Sequence, residues 1–231
     1  MKSFYRRNLP HFQPGPGVYF ITYRLANSLP AKVFEEFQSA FILYSNLLLG
    51  SKLPREEIDK LLDIRFRRDF ATIDKFLNLS DYGENWLMKG QVADLNYKSL
   101  LDLNTATEKV ISFCIMPNHV HLLLELSKMG IDLFNKTNPL DSTKSKIAPS
   151  LLNDVVRKLK GSTARASNLL LNRSGSFWHH ESYDHFVRNQ NELLRILHYI
   201  LNNPVKARLC KHWLDWKWTY IHPEYRSRIV V

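Results

Sequence analysis

Residues 109–126, KVISFCIMPNHVHLLLEL, constrain the fold more than any other stretch of this chain. Two strongly apolar runs flank Pro117-Asn118, a dipeptide that favours a turn, so the segment reads as two consecutive strands. His119 and His121 are two apart in the second strand, and their imidazoles therefore leave the same face. Val120, Leu122 and Leu124 leave the other face, which belongs against core helices. Neutral imidazoles at this spacing can chelate one metal ion and leave positions open for water or a phosphate oxygen. The other reading, which fits most H-x-H pairs, is two polar residues on a half-solvated strand.

The remaining pattern supplies the cover. In PGPGVYFITYRLANSLP, turn residues bracket a first strand from about Val18 to Leu25. From Pro30 to about Leu103 the apolar spacing is helical, in AKVFEEFQSAFILYSNLLLG, in REEIDKLLDIRFRRDFATIDKFLNL and in a shorter helix at Gln91–Leu103. After the hairpin, Lys128 to Ile147 reads as a polar loop. Ser150 is placed to cap a helix running to about Asn172, with Leu151, Leu152, Val155, Val156, Leu159, Ala166, Leu169 and Leu170 on its apolar side. SYDHFVR reads as a short strand and NQNELLRILHYILNN as a last helix, stopped by Pro204. This order predicts an α+β sandwich in which helices cover a small sheet.

Composition narrows the partners. Hydrophobic residues make up 45% of the 231, which excludes global disorder. The two cysteines, Cys114 and Cys210, form neither a CxxC pair nor a disulfide framework, which fits a reducing cytoplasm. No apolar run follows the basic start, and SAFILYSNLLLG is too short to span a bilayer, so a soluble protein without a membrane partner is expected. The net charge is +10, and it is uneven: residues 144–231 hold 15 basic and 6 acidic side chains. Arg157, Lys158, Lys160 and Arg165 fall largely off the apolar stripe of their helix. A basic carboxyl-terminal portion suits either a polyanionic partner or a solubilising surface.

Arg195, Tyr199 and Asn203 are spaced i, i+4, i+8 on the last helix and share one stripe. A tyrosine one turn from an asparagine can pair a phenol nucleophile with an amide oxygen that completes a metal site. Taken alone, this helix better suits a boundary aromatic and a helix-terminal amide. Tyr183, beside Asp184 and His185, is the competing nucleophile. Glu181 and His185 take no assigned role. Trp178, Trp213, Trp216 and Trp218 are suited to base stacking, though WLDWKW reads better as packing.

PNHVHLL followed some eighty residues later by HYILNNPVKARL resembles the HUH single-tyrosine transposases, in particular the branch associated with repetitive extragenic palindromes (REP). RRNLPHFQPGPGVYFITYRLANSLP, NWLMKGQVADL and FWHHESYDHFVRN resemble other shared segments of that family. The resemblance implies a ferredoxin-like or RRM-like antiparallel core with covering helices and a helical insertion between the first two strands. It also implies a single domain over residues 1–231, elaborated at about 30–104. His119 and His121 then match the metal-binding pair, Tyr199 the nucleophile, and Asn203 the third metal ligand, where insertion-sequence relatives often carry glutamine. The cation is Mg²⁺ or Mn²⁺. The substrate is single-stranded DNA with hairpins or palindromes, cut through a 5′-phosphotyrosine link that frees a 3′-hydroxyl and needs no nucleotide cofactor. Arg157, Lys158, Lys160, Arg165 and Arg195 are expected along the DNA backbone. Monomeric action is expected of the palindrome-associated branch, whereas insertion-sequence relatives act as dimers.

Two further readings compete. One is a domesticated descendant that grips hairpin DNA or RNA without cutting. The other is a histidine-triad-like hydrolase of small phosphates, which lacks its third alternating histidine because Leu123 stands there.

Overall fold

A computed structural model describes residues 4–6, 10–79, 82–137 and 150–229. A small ribbon of β1 (Phe4–Arg6) and β2 (Pro10–Phe12) precedes the main sheet. That sheet is built from β3 (Gly17–Leu25), β4 (Glu108–Ile115), β5 (His119–Leu126), β6 (Trp178–Phe186) and β7 (Thr219–Ile221). Every pairing is antiparallel and the order is β6-β3-β5-β4-β7. Counted in chain order, the four long strands lie fourth-first-third-second. This is the ferredoxin-like arrangement, with β7 added at one edge.

Helices α1 (Ala31–Leu49), α2 (Arg55–Leu79) and α3 (Gly90–Leu101) fill the crossover from β3 to β4, with a 3₁₀ turn at Trp86–Met88 before α3. The crossover from β5 to β6 carries α4 (Lys128–Thr137) and α5 (Leu151–Leu170), and α6 (Gln190–Lys206) follows β6. A single turn, α7 (Pro223–Arg226), follows β7.

The sheet is covered on both faces. Val120, Leu122, Leu124 and Leu126 pack with Val92, Ala93 and Leu100 of α3 and with Leu152, Val155, Val156 and Leu159 of α5. The other layer joins Phe20 and Leu123 to Phe41 of α1, to Ile58, Leu62 and Phe66 of α2, and to Leu193, Leu197, Ile200 and Leu201 of α6. A strand buried on both sides reads as a nearly continuous apolar run, which explains VISFCI and HLLLEL. The alternative reading of the two histidines as polar residues on a half-solvated face is thereby set aside: Glu125 alone in that strand is not buried. The histidines lie inside the molecule, between the sheet and α2 and α6.

Three local expectations change. Residues 128–137 form a helix instead of a loop; residues 138–147 of that predicted loop lie outside the described set. Gly130 in that helix allows a close approach, since a Cβ there would come within 2.7 Å of the Thr107 side chain. The last helix passes through Pro204 and ends at Lys206. Proline removes one donor, while the next turn is still closed by Ala207 N–H to Asn203 O and Leu209 N–H to Pro204 O, both at 2.9 Å. The strand read at SYDHFVR begins earlier, at Trp178. Ser150 does cap α5, its Oγ accepting from the Asn153 N–H at 3.2 Å.

The two-sided core predicts that Leu122→Ala destabilises the protein by about 2–5 kcal/mol in chemical denaturation. Leu169→Ala, at a site 75% exposed, should change stability by less than about 0.5 kcal/mol.

Candidate active site

The hairpin sets the histidines. A two-residue loop, Pro117-Asn118, turns β4 into β5, with the Met116 N–H donating to His119 O at 2.8 Å. Asn118 Oδ1 lies 2.7 Å from His119 Nδ1, while the Asn118 amide donates to Leu77 O at 3.1 Å. One side chain thus fixes the imidazole and ties the end of α2 to the hairpin. Register places Thr22 of β3 opposite His121, and its Oγ1 sits 2.7 Å from His121 Nδ1. With both Nδ1 atoms held by outer partners, the Nε2 atoms turn inward, as metal-ligating histidines do.

Three elements converge there. His119 Nε2 and His121 Nε2 are 3.0 Å apart. Asn203 of α6 brings its Nδ2 within 2.9 Å of His121 Nε2, and the Tyr199 hydroxyl lies 3.5 Å from that nitrogen. Asp74 of α2 adds Oδ1 at 3.3 Å from His121 Nε2 and 4.0 Å from His119 Nε2. The other Asp74 oxygen accepts from the Asn78 amide at 3.0 Å. His119, His121, Asp74 and Asn203 are buried, and Tyr199 is half-buried.

Electrostatics match the crowding. Burial, then the neighbouring His121, pull His119 down to about 3, so it stays neutral across the physiological range. Burial pushes the Asp74 carboxyl up, but the adjacent His121 and His119 imidazoles outweigh it and hold the carboxyl below its ordinary value. Burial raises the Tyr199 phenol strongly, and the Asp74 carboxylate raises it further. The Lys206 ammonium, 5.2 Å from the Tyr199 ring centroid, is the nearest cation to that ring among the described residues.

The donor set fits a divalent cation. The inward atoms of Asp74, His119 and His121 lie within 4.8 Å of one another. Asp74 Oδ1 and Asn203 Oδ1 are buried acceptors that receive no hydrogen bond. Turning the Asn203 amide about its last bond exchanges oxygen for nitrogen beside His121. Two imidazole nitrogens and two oxygens without donors would then surround one point, an arrangement that a cation relieves.

The structure brings His119, His121, Tyr199 and Asn203 together and leaves the expected DNA-contacting cations elsewhere. Arg157, Lys158 and Arg165 are exposed on α5, which packs on the opposite face of the sheet, and Arg157 and Lys158 pair with Asp154. Lys160 donates to the carbonyls of His179 and His180 at the start of β6. Arg195 is exposed two turns before Asn203, so the stripe runs from surface to core. Tyr183 stacks on Phe70 and Phe66, at centroid distances of 3.9 and 4.7 Å, and burial raises its phenol. It packs as a core aromatic. His185 is engaged by Glu192 at 3.0 Å, and Glu181 is buried at the start of β6. The indoles of Trp178, Trp216 and Trp218 donate to Thr163, Ile115 O and Asp94, which makes them packing residues.

Asp74 escaped the sequence reading. Its signal was present: it stands four residues after Phe70, eight after Phe66 and three before Leu77, a carboxylate on the apolar stripe of a helix. Such a residue is rarely buried unless something pairs with it.

No family model matches the chain. A Haemophilus influenzae protein provisionally named a REP-associated tyrosine transposase is 25% identical over 122 residues, covering 52% of this chain and 63% of the relative. That relative bears the name of the family branch which the histidine pair and the late-helix tyrosine resemble. A second H. influenzae protein, uncharacterised, is 28% identical over 102 residues, covering 42% of this chain and 54% of its own length. The chain therefore spans somewhat over half the length of these curated relatives. Among solved structures, a REP-associated tyrosine transposase bound to a REP hairpin superposes with a TM-score of 0.47 at 14% identity, covering 97% of this chain and 82% of the other. A Deinococcus radiodurans protein provisionally named a transposase gives 0.31 at 13% identity, covering 81% and 91%.

With its outer hydrogen bonds in place, the histidine centre should bind Mn²⁺ in a calorimetric titration, and Thr22→Val should weaken that binding by about 10–100-fold. Unchanged affinity would mean that the ion sits elsewhere. His119 also sets a pH dependence. Folded, it stays neutral down to about pH 3; unfolded, it takes a proton near pH 6.5. The unfolded chain binds more protons between these limits, so stability falls as the pH drops through that window, by up to ~1.4 kcal/mol per unit. Urea denaturation of metal-free protein between pH 7 and 5 should record the decline, and His119→Gln should flatten it.

Proposed function

We propose that this protein cuts and rejoins single-stranded DNA at or near hairpin-forming palindromes, with Tyr199 as nucleophile. The convergence of the Tyr199 hydroxyl, two inward imidazole nitrogens and two acceptor oxygens without donors carries the reading. Phosphodiester transesterification needs an aligned nucleophile and stabilisation of negative charge at phosphorus. His119, His121, Asp74 and Asn203 are the residues that would hold a divalent cation. Such an ion, Mg²⁺ or Mn²⁺, would polarise the scissile phosphate and offset the Asp74 charge that opposes phenol ionisation. Two nitrogen ligands favour Mn²⁺ over Mg²⁺ in vitro, because Mg²⁺ prefers an oxygen shell.

The chain's own side chains do the rest. Thr22 and Asn118 hold the imidazoles in register, and helix α6 presents Tyr199 one turn before Asn203. Attack of the Tyr199 oxygen forms a P–O bond to the 5′ side and breaks the bond to the 3′ oxygen. The phenol proton balances the one taken up by the released 3′-hydroxyl. The phosphotyrosine retains the bond, so a second 3′-hydroxyl can reverse the step and join two ends. The relative named for REP association supports palindromic DNA as the substrate class, and the net charge of +10 favours a polyanion.

A second reading is a hairpin binder that does not cut. The cover of the centre by α2 and the raised phenol favour it. Incubating the protein with a hairpin oligonucleotide and Mn²⁺ distinguishes the two. A covalent protein–DNA adduct, abolished by Tyr199→Phe, is the expected result. Equal hairpin affinity of both proteins with no adduct from either selects the binder, and an adduct undiminished by Tyr199→Phe rejects Tyr199.

A further inference from the structure

Arg24 is a buried cation on the sheet face that carries the histidines. It lies on β3, directly across the ladder from His119, just as Thr22 lies across from His121. Opposed residues of an antiparallel pair have Cβ atoms about 4.5–5.5 Å apart, so the Arg24 and His119 side chains leave the sheet side by side. Arg24 is only 7% exposed, and among the described residues no carboxylate lies within ion-pair distance of it. Both of its hydrogen bonds come from Nη1 and both are long: 3.3 Å to Ser28 Oγ and 3.5 Å to Leu25 O. Nε and Nη2 donate to no described residue.

The side chain lines a cleft between the sheet and the α1–α2 hairpin, together with Thr22, Gln38, Asp69, His179 and Glu181. The carboxylates of that cleft are committed elsewhere. Asp69 takes both its bonds from Arg65, at 2.8 and 2.9 Å, and Glu181 lies 3.4 Å from His180 Nε2. Gln38 Nε2, also in the cleft, donates to nothing. The Phe34 ring lies 5.0 Å from the guanidinium carbon and fixes its plane. Burial lowers the guanidinium only to about 10, so it remains a cation at neutral pH. A buried, unpaired charge is costly, and it is retained where an anion is to be met. A planar fork of donors suits a phosphate oxygen pair.

We propose that Arg24 grips a phosphodiester of the DNA strand adjacent to the one presented to Tyr199 and the histidine pair. The idea rests on the DNA-cutting reading, with Arg24 as a substrate-positioning contact beside the ion site. Position along the strand is what it would add: a fixed neighbouring phosphate sets which bond faces the phenol.

The test uses the full chain carrying Tyr199→Phe, so that binding is read without cleavage, and hairpin oligonucleotides with one neutral methylphosphonate moved along the backbone. One methylphosphonate should weaken binding about tenfold or more. Arg24→Gln should weaken the all-phosphate oligonucleotide by a similar factor, and that one methylphosphonate should then cost nothing further. The salt dependence of log affinity should also shallow by about 0.7, the value of one phosphate contact on a single strand. Penalties that add at every position, or affinity and salt slope equal to the parent, would overturn the proposal. Near-ultraviolet circular dichroism checks folding; should Arg24→Gln not fold, Arg24→Lys takes its place. Lysine keeps the charge and loses the fork, so it should show a partial loss confined to the same phosphate, and no loss there overturns the idea. Wild-type protein that forms no adduct defeats the cutting reading itself. An adduct together with additive penalties defeats only the Arg24 contact.

Discussion

Everything in this structure is arranged around two imidazole nitrogens facing each other at 3.0 Å inside a closed core. Around them, among the described residues, lie one carboxylate and one amide oxygen that receive no hydrogen bond. A core does not keep such a set without compensation, because each unpaired polar atom costs on the order of 1–3 kcal/mol. The outer ring of partners is complete: Thr22 and Asn118 occupy the two Nδ1 positions. What is left open is the centre, and it is open to a cation.

That centre explains the departure from a sheet with one free face. Helices α3 and α5 form the expected cover on one side. On the other, α6 delivers Tyr199 and Asn203, while α2 delivers Asp74 and the Phe66 and Phe70 rings that stack on Tyr183. The helical insertion between the first two strands is thus part of the site and no mere elaboration. It supplies a negative charge where one is least easily tolerated, next to a phenol whose ionisation that charge opposes. The same hairpin covers Arg24 through Phe34, so a cation and an anion of the site lie under one element.

Much of this was legible from residue order. The β5 run was read to its ends, because a strand buried on both faces leaves an unbroken apolar signature. Ser150 announced α5, since a cap acts through its own neighbours. Spacing on α6 aligned Tyr199 with Asn203 for the same local reason. Asp74 and Arg24 were not found, because both gain their meaning from residues far along the chain.

By itself, the sequence determined which side chains share a face and which cap a helix, and its motifs carried the family resemblance. These are properties of neighbours within a few bonds, set by the periods of strand and helix. Only the tertiary structure decided that the histidines are buried, that α2 closes over them with a carboxylate, and that the α5 cations lie on the far side of the sheet. Those outcomes depend on which surfaces meet across long loops, and burial and charge compensation operate through space without regard to chain distance.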